Sequence, residues 1–427
     1  MDRQDAIYQA YVKILTQELV PAMGCTEPIA IAYCSAVARS VLGHLPDRIH
    51  IEASGNIIKN VKSVVVPNTG GWKGIETAAA IGALAGDETA GLEVISNVSD
   101  EHLLEKSGYL KNTEITVSPA SSDLVLDITV TAYHKKEWAK VRIAQTHTNI
   151  VWKEKNGAAL FSAPISALED HDSDLDALNL EDIYEFADTC DLSDVQDILE
   201  RQIQMNTAIA QEGLRGDYGA NIGKVLLKTH ANDVRTRARA KAAAGSDARM
   251  NGCDLPVVIN SGSGNQGLTV SLPVIEYAQE LAASKQQLYR ALLLANLVTL
   301  HEKAGIGRLS AYCGAVSAGA GAAAGIAYLH GGTYDCVTHT IVNALAIASG
   351  MVCDGAKASC AAKIATAVDA GILGFEMYQQ GQQFYRGEGL VSKGAESTIK
   401  NISCLGRVGM KETDQVIIRM MVGESCE

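Results

Sequence analysis

Four cysteines are the residues whose types and surroundings point most directly to chemistry. Cys313, Cys353 and Cys360 lie in Gly/Ala-rich stretches near the C-terminal end, and Cys25 opens the segment Gly-Cys-Thr-Glu-Pro. Thiolates are the standard ligands of iron-sulphur clusters, and three ligands in place of four leave one iron open to bind a substrate as a Lewis acid. The pattern therefore indicates an iron-sulphur enzyme, although without a Cys-x2-Cys repeat it also fits buried structural cysteines.

The spacing of the last two cysteines predicts a break in a helix. On an unbroken helix, Cys353 and Cys360 would lie on one face about 10.5 Å apart, which is far for two ligands of one small cluster. The Asp-Gly pair between them favours a turn, so we predict that one helix ends near Cys353 and the next begins near Ser359. Cys313 precedes Cys353 by 40 positions and would return through a helical hairpin.

Cys25 precedes a helix that we predict to begin with Thr26 as its N-cap and to carry Glu27 and Pro28 in its first turn. A thiol at a helix N-terminus feels the positive end of the helix dipole and is readily held as a thiolate. Such a thiolate could act as a base or a nucleophile. The alternative is a small apolar residue beside a helix cap.

A Gly-rich stretch, Asn-Ser-Gly-Ser-Gly-Asn-Gln-Gly, follows an apolar run at residues 255–259. It lacks the Lys-Ser/Thr ending of a P-loop and the glycine spacing of a dinucleotide fingerprint. Its N–H groups, hydroxyls and amides suit a carboxylate or a phosphate, and a plain loop is the alternative. His147 follows a predicted strand and could face a cleft or the surface. The candidate substrate-binding residues are Ser261, Gly262, Ser263, Asn265 and Gln266.

The composition bounds the class of protein. The 427 residues contain 36 Lys and Arg against 49 Asp and Glu, a net charge of -13 that argues against nucleic-acid binding. The charged N-terminus lacks the apolar stretch of a signal peptide, so we expect a cytoplasmic protein whose ten cysteines are reduced. The uncharged run at residues 309–334 is rich in Ala and Gly, which favours a buried central helix over a membrane span.

Hydrophobic periodicity predicts helices in residues 5–42, broken at Pro21, and beyond residue 178. β-Branched runs between them predict strands at residues 49–53, 63–66, 114–117, 124–131 and 139–143. Between these strands we predict a helix at 78–84 and a hairpin turn at 134–137. The fold class is therefore α+β, with antiparallel strands inserted in or preceding a large, mainly helical C-terminal domain.

The same pattern divides the chain into three predicted domains. Residues 1–45 form N-terminal helices that carry Cys25 and pack on the helical domain. Residues 46–170 form the α+β domain, which ends at an acidic linker at residues 168–174. Residues 175–427 form the helical domain that binds the cluster.

Five motifs follow one another along nearly the whole chain. They are GCTEP at residues 24–28, HTN at 147–149, SDARM at 246–250, SGSGNQG at 261–267 and CDGAKASC at 353–360. Together they resemble the L-cysteine desulfidase family, also called UPF0597 or YhaM-like, which is related to the iron-sulphur L-serine dehydratases. The resemblance implies that L-cysteine and water become pyruvate, ammonia and hydrogen sulphide on a [4Fe-4S] cluster. It also implies cluster ligation by Cys313, Cys353 and Cys360, with Cys25 as proton acceptor.

This reaction makes physical sense for the residues present. A β-thiol amino acid must lose its α-proton and its sulphide, so an open iron would bind the leaving group while a thiolate takes the proton. Backbone donors at residues 261–267 could hold the substrate carboxylate. Residue types do not distinguish L-cysteine from L-serine, whose hydroxyl would meet the same iron, so an L-serine dehydratase is an alternative.

Two further classes stay open. A pyridoxal-phosphate lyase needs a Schiff-base lysine, and Lys241 lies in what the sequence predicts as an exposed helix. An iron-sulphur redox sensor would use the cluster as a signal. We expect a small amino-acid substrate and no nucleic-acid or membrane partner, with a homodimer left open. The penultimate Cys426 could reach the open iron when no substrate is bound, although terminal residues are usually mobile.

Overall fold

The computed structural model describes residues 1–165 and 175–422, so the predicted linker at 168–174 lies outside the described residues. The chain opens with α1 (Ala6–Glu18), β1 (Pro21–Met23) and α2 (Thr26–Leu42). The predicted break at Pro21 is confirmed, since proline lacks the N–H that a helix interior needs. The predicted cap is displaced by one position, because Cys25 occupies the N-cap and Thr26 is the first helical residue.

A six-stranded sheet occupies the first half of the chain. In spatial order its strands are β3 (Glu114–Pro119), β2 (Arg48–Ala53), β4 (Asp127–His134), β5 (Glu137–Ala144), β6 (Ile150–Lys155) and β7 (Ala158–Ser162). The predicted hairpin joins β4 to β5, and each neighbouring pair of this described sheet is antiparallel except β2 with β3. Those two strands are parallel because a helical crossover joins them, so the sheet is mixed where antiparallel strands were predicted.

Residues 63–66 were predicted as a strand, and this prediction is wrong. The segment makes an isolated bridge between Val65 and Lys73 instead of a ladder. Val64, Val65 and Val66 are buried, and Pro67, which has no N–H to donate, follows them. The run is apolar because it packs into the core.

The crossover consists of three helices: α3 (Gly55–Val61), α4 (Ile75–Ala85) and α5 (Asp100–Asn112). α4 approaches α2 closely, since a Cβ on Gly82 would lie 2.2 Å from the Ala32 carbonyl oxygen. On its other side α2 lies on the sheet, where Cys34 Sγ donates to the Val141 carbonyl oxygen at 3.4 Å. α2 therefore packs within the α+β half, whereas the sequence assigned both N-terminal helices to the helical domain.

α1 packs on the helical half, because Tyr8 and Tyr11 both meet the edge of Phe186. β8 (Pro256–Val258) pairs antiparallel with β1 and joins the two halves further. The helices are α6 (Leu180–Thr189), α7 (Gln196–Arg215), α8 (Ile222–Thr229), α9 (Val234–Met250), α10 (Gly264–Glu280), α11 (Lys285–Ile306), α12 (Gly314–Leu329), α13 (Tyr334–Ala348), α14 (Cys360–Gln379), α15 (Ala395–Cys404) and α16 (Lys411–Val422).

α12 is the buried central helix that the sequence predicted. Its glycines allow close contact with α14 and α11: a Cβ on Gly319 would lie 2.5 Å from the Ala367 carbonyl oxygen, and one on Gly321 would lie 2.1 Å from Thr299 Oγ1. Among the described residues, no helix is long and apolar enough to cross a membrane.

The chain between α12 and α14 explains how distant cysteines meet. α12 and α13 form the predicted helical hairpin, and the predicted restart of the helix near Ser359 is confirmed by α14. The preceding helix ends at Ala348, however, and not near Cys353. Residues after Gly350 instead run beside the segment before α12, with a bridge between Tyr312 and Val352.

Candidate active site

A cavity of about 110 Å³ lies where α2, α10, α12 and α14 begin. Segments that are far apart in the sequence supply its walls. Its lining includes every residue that the sequence singled out as catalytic, substrate-binding or metal-ligating: Cys25, Ser261, Gly262, Ser263, Asn265, Gln266, Cys313, Cys353 and Cys360. Cys426 lies outside the described residues.

The four helices present their N-termini to this cavity. In the described chain, none of their N-cap side chains accepts a hydrogen bond from its own helix; the N-caps are Cys25, Ser263, Cys313 and Ser359. At the start of α14, the Cys360 and Ala361 N–H groups donate to the Lys357 and Ala358 carbonyl oxygens, so that helix is capped by backbone acceptors. The positive ends of the four helix dipoles favour a negatively charged occupant.

Two of the three candidate ligands lie on neighbouring chain segments. The Cys313 N–H donates to the Met351 carbonyl oxygen at 3.0 Å, and the Cys353 N–H donates to that of Ala311 at 2.6 Å. Cys360 is the first residue of α14. All three thiols line the cavity because the hairpin returns the chain to the start of α12.

The electrostatics of the three thiols call for a cationic partner. Burial, followed by the charge of Cys353, raises the pKa of Cys313 to about 12. Burial is also the main cause of the raised pKa of Cys360, and Cys353 adds to it. Burial and the charge of Cys353 thus oppose ionisation of Cys313 and Cys360, and a metal centre would reverse this effect.

The donor set consists of three thiols on one cavity, and thiolates are the standard ligands of iron-sulphur clusters. Residues 1–165 and 175–422 contain no group of three or more His, Cys, Asp or Glu side chains placed to hold one ion. A single ion needs its ligands within about 2.0–2.6 Å of one point. In a cluster each thiolate binds its own iron, so the ligands stand further apart.

Cys25 is a thiol that donates to a carboxylate. Its Sγ lies 2.9 Å from Glu27 Oε2, and Asn60 Nδ2 donates to Glu27 Oε1 at 2.8 Å. Burial first, and then the charge of Glu27, raises the pKa of Cys25 well above its ordinary value. The expected thiolate is thus contradicted, because burial and Glu27 outweigh the helix dipole.

Glu27 carries the charge of this pair. Burial alone would raise its pKa, but hydrogen bonds from Cys25, Asn60 and its own backbone N–H lower it, and protonation of His147 would lower it further. Its carboxylate also lies at the N-terminus of α2, where a negative charge is favourable. The proton therefore lies on Cys25 and the negative charge on Glu27.

His147 lies in the cavity and not on the surface. It is 5% exposed, and its ring packs against Gly262, with Cε1 3.3 Å from where a Cβ on that residue would stand. Burial lowers its pKa, and although Glu27 opposes this effect, the positive charges of Arg308 and Arg249 reinforce it. Nε2 has no hydrogen-bond partner among the described residues. The ring is therefore neutral and has a free nitrogen.

The Gly-rich loop is a two-residue turn. Asn260 and Ser263 exchange backbone hydrogen bonds of 3.1 and 3.0 Å, and Ser261 and Gly262 both have positive φ, 49° and 74°. This is the geometry of a type I′ turn, which Gly adopts without strain. Thr26 Oγ1 donates to the Gly262 carbonyl oxygen at 3.0 Å, so the turn is held against the start of α2.

The predicted substrate-binding residues differ in whether their side chains already have hydrogen-bond partners within the protein. Ser261 Oγ donates to Asn260 Oδ1 at 3.0 Å and so serves the turn itself. In the described structure, Asn265 Oδ1 and Gln266 Oε1 are buried without a hydrogen-bond partner. These two amides are therefore the members of the predicted set with acceptors left for a ligand.

Several cavity residues were missed by the sequence reasoning. Glu27 was noted only as a first-turn residue, and Arg249 only as part of a family motif. Lys303 is 4% exposed, and burial lowers its pKa to about 8, although Cys353 and Cys313 oppose this change. A lysine in a long helix usually faces solvent, so the sequence did not indicate that Lys303 lines the cavity. For Arg249, the SDARM motif was the available signal.

Lys241, the candidate Schiff-base lysine, is not among the cavity residues. It lies on α9 and forms an ion pair with Glu276 on α10. The pyridoxal-phosphate alternative therefore loses the lysine on which it depended.

Fold and site together define an α+β protein with a thiol-lined cavity, and its sequence matches a known class. Residues 89–419 match the serine dehydratase alpha chain family. The chain is similar to UPF0597 proteins of Desulfitobacterium hafniense (58% identical, covering 99% of both chains) and Lachnoclostridium phytofermentans (49%, covering 97% of this chain and 100% of the relative). It therefore belongs to the UPF0597 family, related to the serine dehydratase alpha chain, which confirms the resemblance at that level.

Proposed function

We propose that the protein is a lyase that eliminates sulphide from L-cysteine to give pyruvate, ammonia and hydrogen sulphide, using a [4Fe-4S] cluster. One observation carries the proposal: a single cavity is lined both by three thiols and by a hydrogen-bonded Cys25–Glu27 pair. Thiols that suit iron and a pair that suits proton transfer are the two requirements of this elimination.

Cys313, Cys353 and Cys360 would hold the cluster, with the N-termini of α12 and α14 favouring their negative charge. When bound, the cluster supplies an open iron that acts as a Lewis acid toward the sulphur leaving group. The remaining chemistry belongs to the side chains of this chain.

Cys25 is the proposed proton acceptor at the α-carbon. Its own proton first passes to Glu27 Oε2, 2.9 Å away, which leaves a thiolate that can take the α-proton. His147, whose pKa burial lowers, lines the same cavity and has a ring nitrogen without a partner among the described residues. The resulting enamine tautomerises and hydrolyses to pyruvate and ammonia without further catalysis.

L-Serine dehydration is the second candidate, and the match to the serine dehydratase alpha chain favours it. The same residues would remove the α-proton of L-serine, and hydroxide would leave in place of sulphide. The two candidates share the site and differ in the leaving group.

Anaerobic purification followed by iron and sulphide analysis and a pyruvate assay with L-cysteine and L-serine in parallel tests both candidates. We expect about four irons per chain, as a [4Fe-4S] cluster requires, and faster pyruvate formation from L-cysteine. Faster turnover of L-serine would establish the second candidate. Full activity in iron-free protein would contradict both.

A further inference from the structure

One buried arginine lacks a charged partner. Arg249, at the end of α9, is 2% exposed, and no ion pair involves it in residues 1–165 or 175–422. The half-buried Arg142, Arg235, Arg237 and Arg308 all form ion pairs with carboxylates. A buried charge is unfavourable unless it is paired, and no described carboxylate forms an ion pair with Arg249, so an anion bound in the cavity would stabilise it.

Arg249 faces the cavity beside the candidate base. The acidic groups nearest to it are Cys25, which also makes a side-chain hydrogen bond with the guanidinium, and Glu27, followed by Cys360. Nη1 lies 4.0 Å from Met250 Sδ, and Nε has no acceptor among the described residues. An anion bound to this guanidinium would therefore lie next to the Cys25 thiol.

Gly264 makes room for the guanidinium at the start of α10. A Cβ on Gly264 would lie 2.3 Å from Arg249 Nε and 2.7 Å from Cζ, so any larger residue would displace the side chain. Gly264 is the first residue of α10, whose N-terminal N–H groups have no side-chain cap. Guanidinium and helix N-terminus thus present donors to the same place, a suitable arrangement for a carboxylate.

Acceptors lie on the next residues of the same helix turn. In the described structure, Asn265 Oδ1 and Gln266 Oε1 are buried amide oxygens without a hydrogen-bond partner, as are those of Asn56 and Asn60 on α3. Gly314 leaves room for the Gln266 amide, because a Cβ on Gly314 would lie 2.6 Å from Gln266 Cδ. An α-amino acid has a carboxylate that needs donors and an ammonium that needs acceptors, and this wall of the cavity offers both.

We propose that Arg249 binds the α-carboxylate of the amino-acid substrate and that the amide oxygens of Asn265 and Gln266 bind its ammonium group. This inference rests on the proposed function and assigns the part of the substrate that does not react. It fixes the α-carbon beside Cys25 and selects amino acids over simple amines or thiols.

Binding of L-alanine to the anaerobic holoenzyme tests the proposal without turnover, because L-alanine has no leaving group. Calorimetry should show binding to the wild-type protein, binding weakened about 10- to 100-fold in Arg249→Lys, and no binding of ethylamine. Iron content should be the same in both proteins. Equal L-alanine affinity in both, or no L-alanine binding to the wild-type protein, would overturn the proposal.

Gly264→Ala provides a second variant that keeps Arg249 but displaces its guanidinium. We expect the same loss of L-alanine affinity and a raised KM, with iron content retained. Gly108→Ala is the matched control, since Gly108 lies in α5 with open space around the added Cβ. Iron loss in both Arg249→Lys and Gly264→Ala would show that Arg249 instead supports the cluster. Arg249-dependent L-alanine binding without any turnover would contradict the proposed function and leave this inference standing.

Discussion

Helices that begin at the cavity differ from several that begin elsewhere in the molecule. Away from the cavity, the N-cap side chains of α5, α6, α9, α11 and α13 accept a hydrogen bond from their own helix; they are Ser99, Asn179, Asp233, Ser284 and Thr333. At the cavity, the described N-caps of α2, α10, α12 and α14 make no such bond. In the first region an N-cap side chain accepts from the backbone of its helix, whereas in the second no described N-cap side chain does so.

The choice of residue strengthens this contrast. α2 and α12 have cysteine at the N-cap, where Ser, Thr, Asp or Asn would stabilise a helix by about 1 kcal/mol. A thiol is a weak acceptor, so these two helices begin with a less stabilising N-cap than Ser, Thr, Asp or Asn would provide. Sites that break a local rule without a structural gain are typical of function.

The largest effect that follows from this contrast is loss of the cluster. Cys353→Ala should reduce iron in anaerobically prepared protein to background and abolish pyruvate formation, because one of three ligands is missing. Iron analysis and the visible absorption spectrum measure this. Cys404→Ala is the control, since Cys404 is exposed at the end of α15 and should keep full iron. Unchanged iron in Cys353→Ala would contradict the ligand assignment.

Loss of the proton acceptor should have the next largest effect. Cys25→Ala should lower kcat by about 10²- to 10⁴-fold while iron content stays at the wild-type level. Glu27→Gln should lower kcat too, because the amide cannot take the Cys25 proton. Iron loss in Cys25→Ala would instead make Cys25 a ligand.

The residues that sequence reasoning found are those with a local signal. Cysteine is rare, and a Gly-rich loop is recognisable, so Cys313, Cys353, Cys360 and the turn at residues 260–263 could be predicted. The burial of Arg249 and Lys303 could not be predicted, because charged residues in helices are usually exposed and these two are buried by tertiary packing.

Other errors have equally physical reasons. The thiolate expected at Cys25 followed from the helix dipole, which is local, whereas burial and Glu27 act through the fold. The parallel pairing of β2 and β3 depends on a crossover of three helices, and the strand sequences do not encode their neighbours. Residues 63–66 have the composition of a strand but lack a partner strand.

The first turn of α8 is capped by a side chain from another helix, Asp247 on α9. The pH dependence of the free energy of unfolding tests this cap. Asp247 Oδ2 accepts from the Gly223 N–H at 3.0 Å, and burial raises the pKa of Asp247 to about 6. The native state therefore holds this proton more tightly than the unfolded chain. Its contribution to stability is fully present below about pH 4 and is lost as pH rises through about 6.

Asp247→Asn keeps an acceptor for Gly223 and removes the titration. Between pH 4 and pH 7, the free energy of unfolding of the wild-type protein should fall relative to that of the variant. Chemical denaturation at several pH values measures the difference. Parallel pH profiles for the two proteins would contradict the raised pKa.

The smallest expected effect separates the two kinds of helix start directly. Ser284→Ala removes an exposed capping box, in which Ser284 Oγ accepts from the Gln287 N–H and Gln287 Oε1 accepts from the Ser284 N–H. The free energy of unfolding should fall by about 1 kcal/mol with kcat/KM unchanged. Cys25→Ser should do the reverse: it places a favourable cap at α2 and removes the thiol, so stability is kept or rises while turnover is lost. If Cys25→Ser retained turnover, or Ser284→Ala reduced it, the division between helix starts that stabilise and helix starts that serve the site would fail.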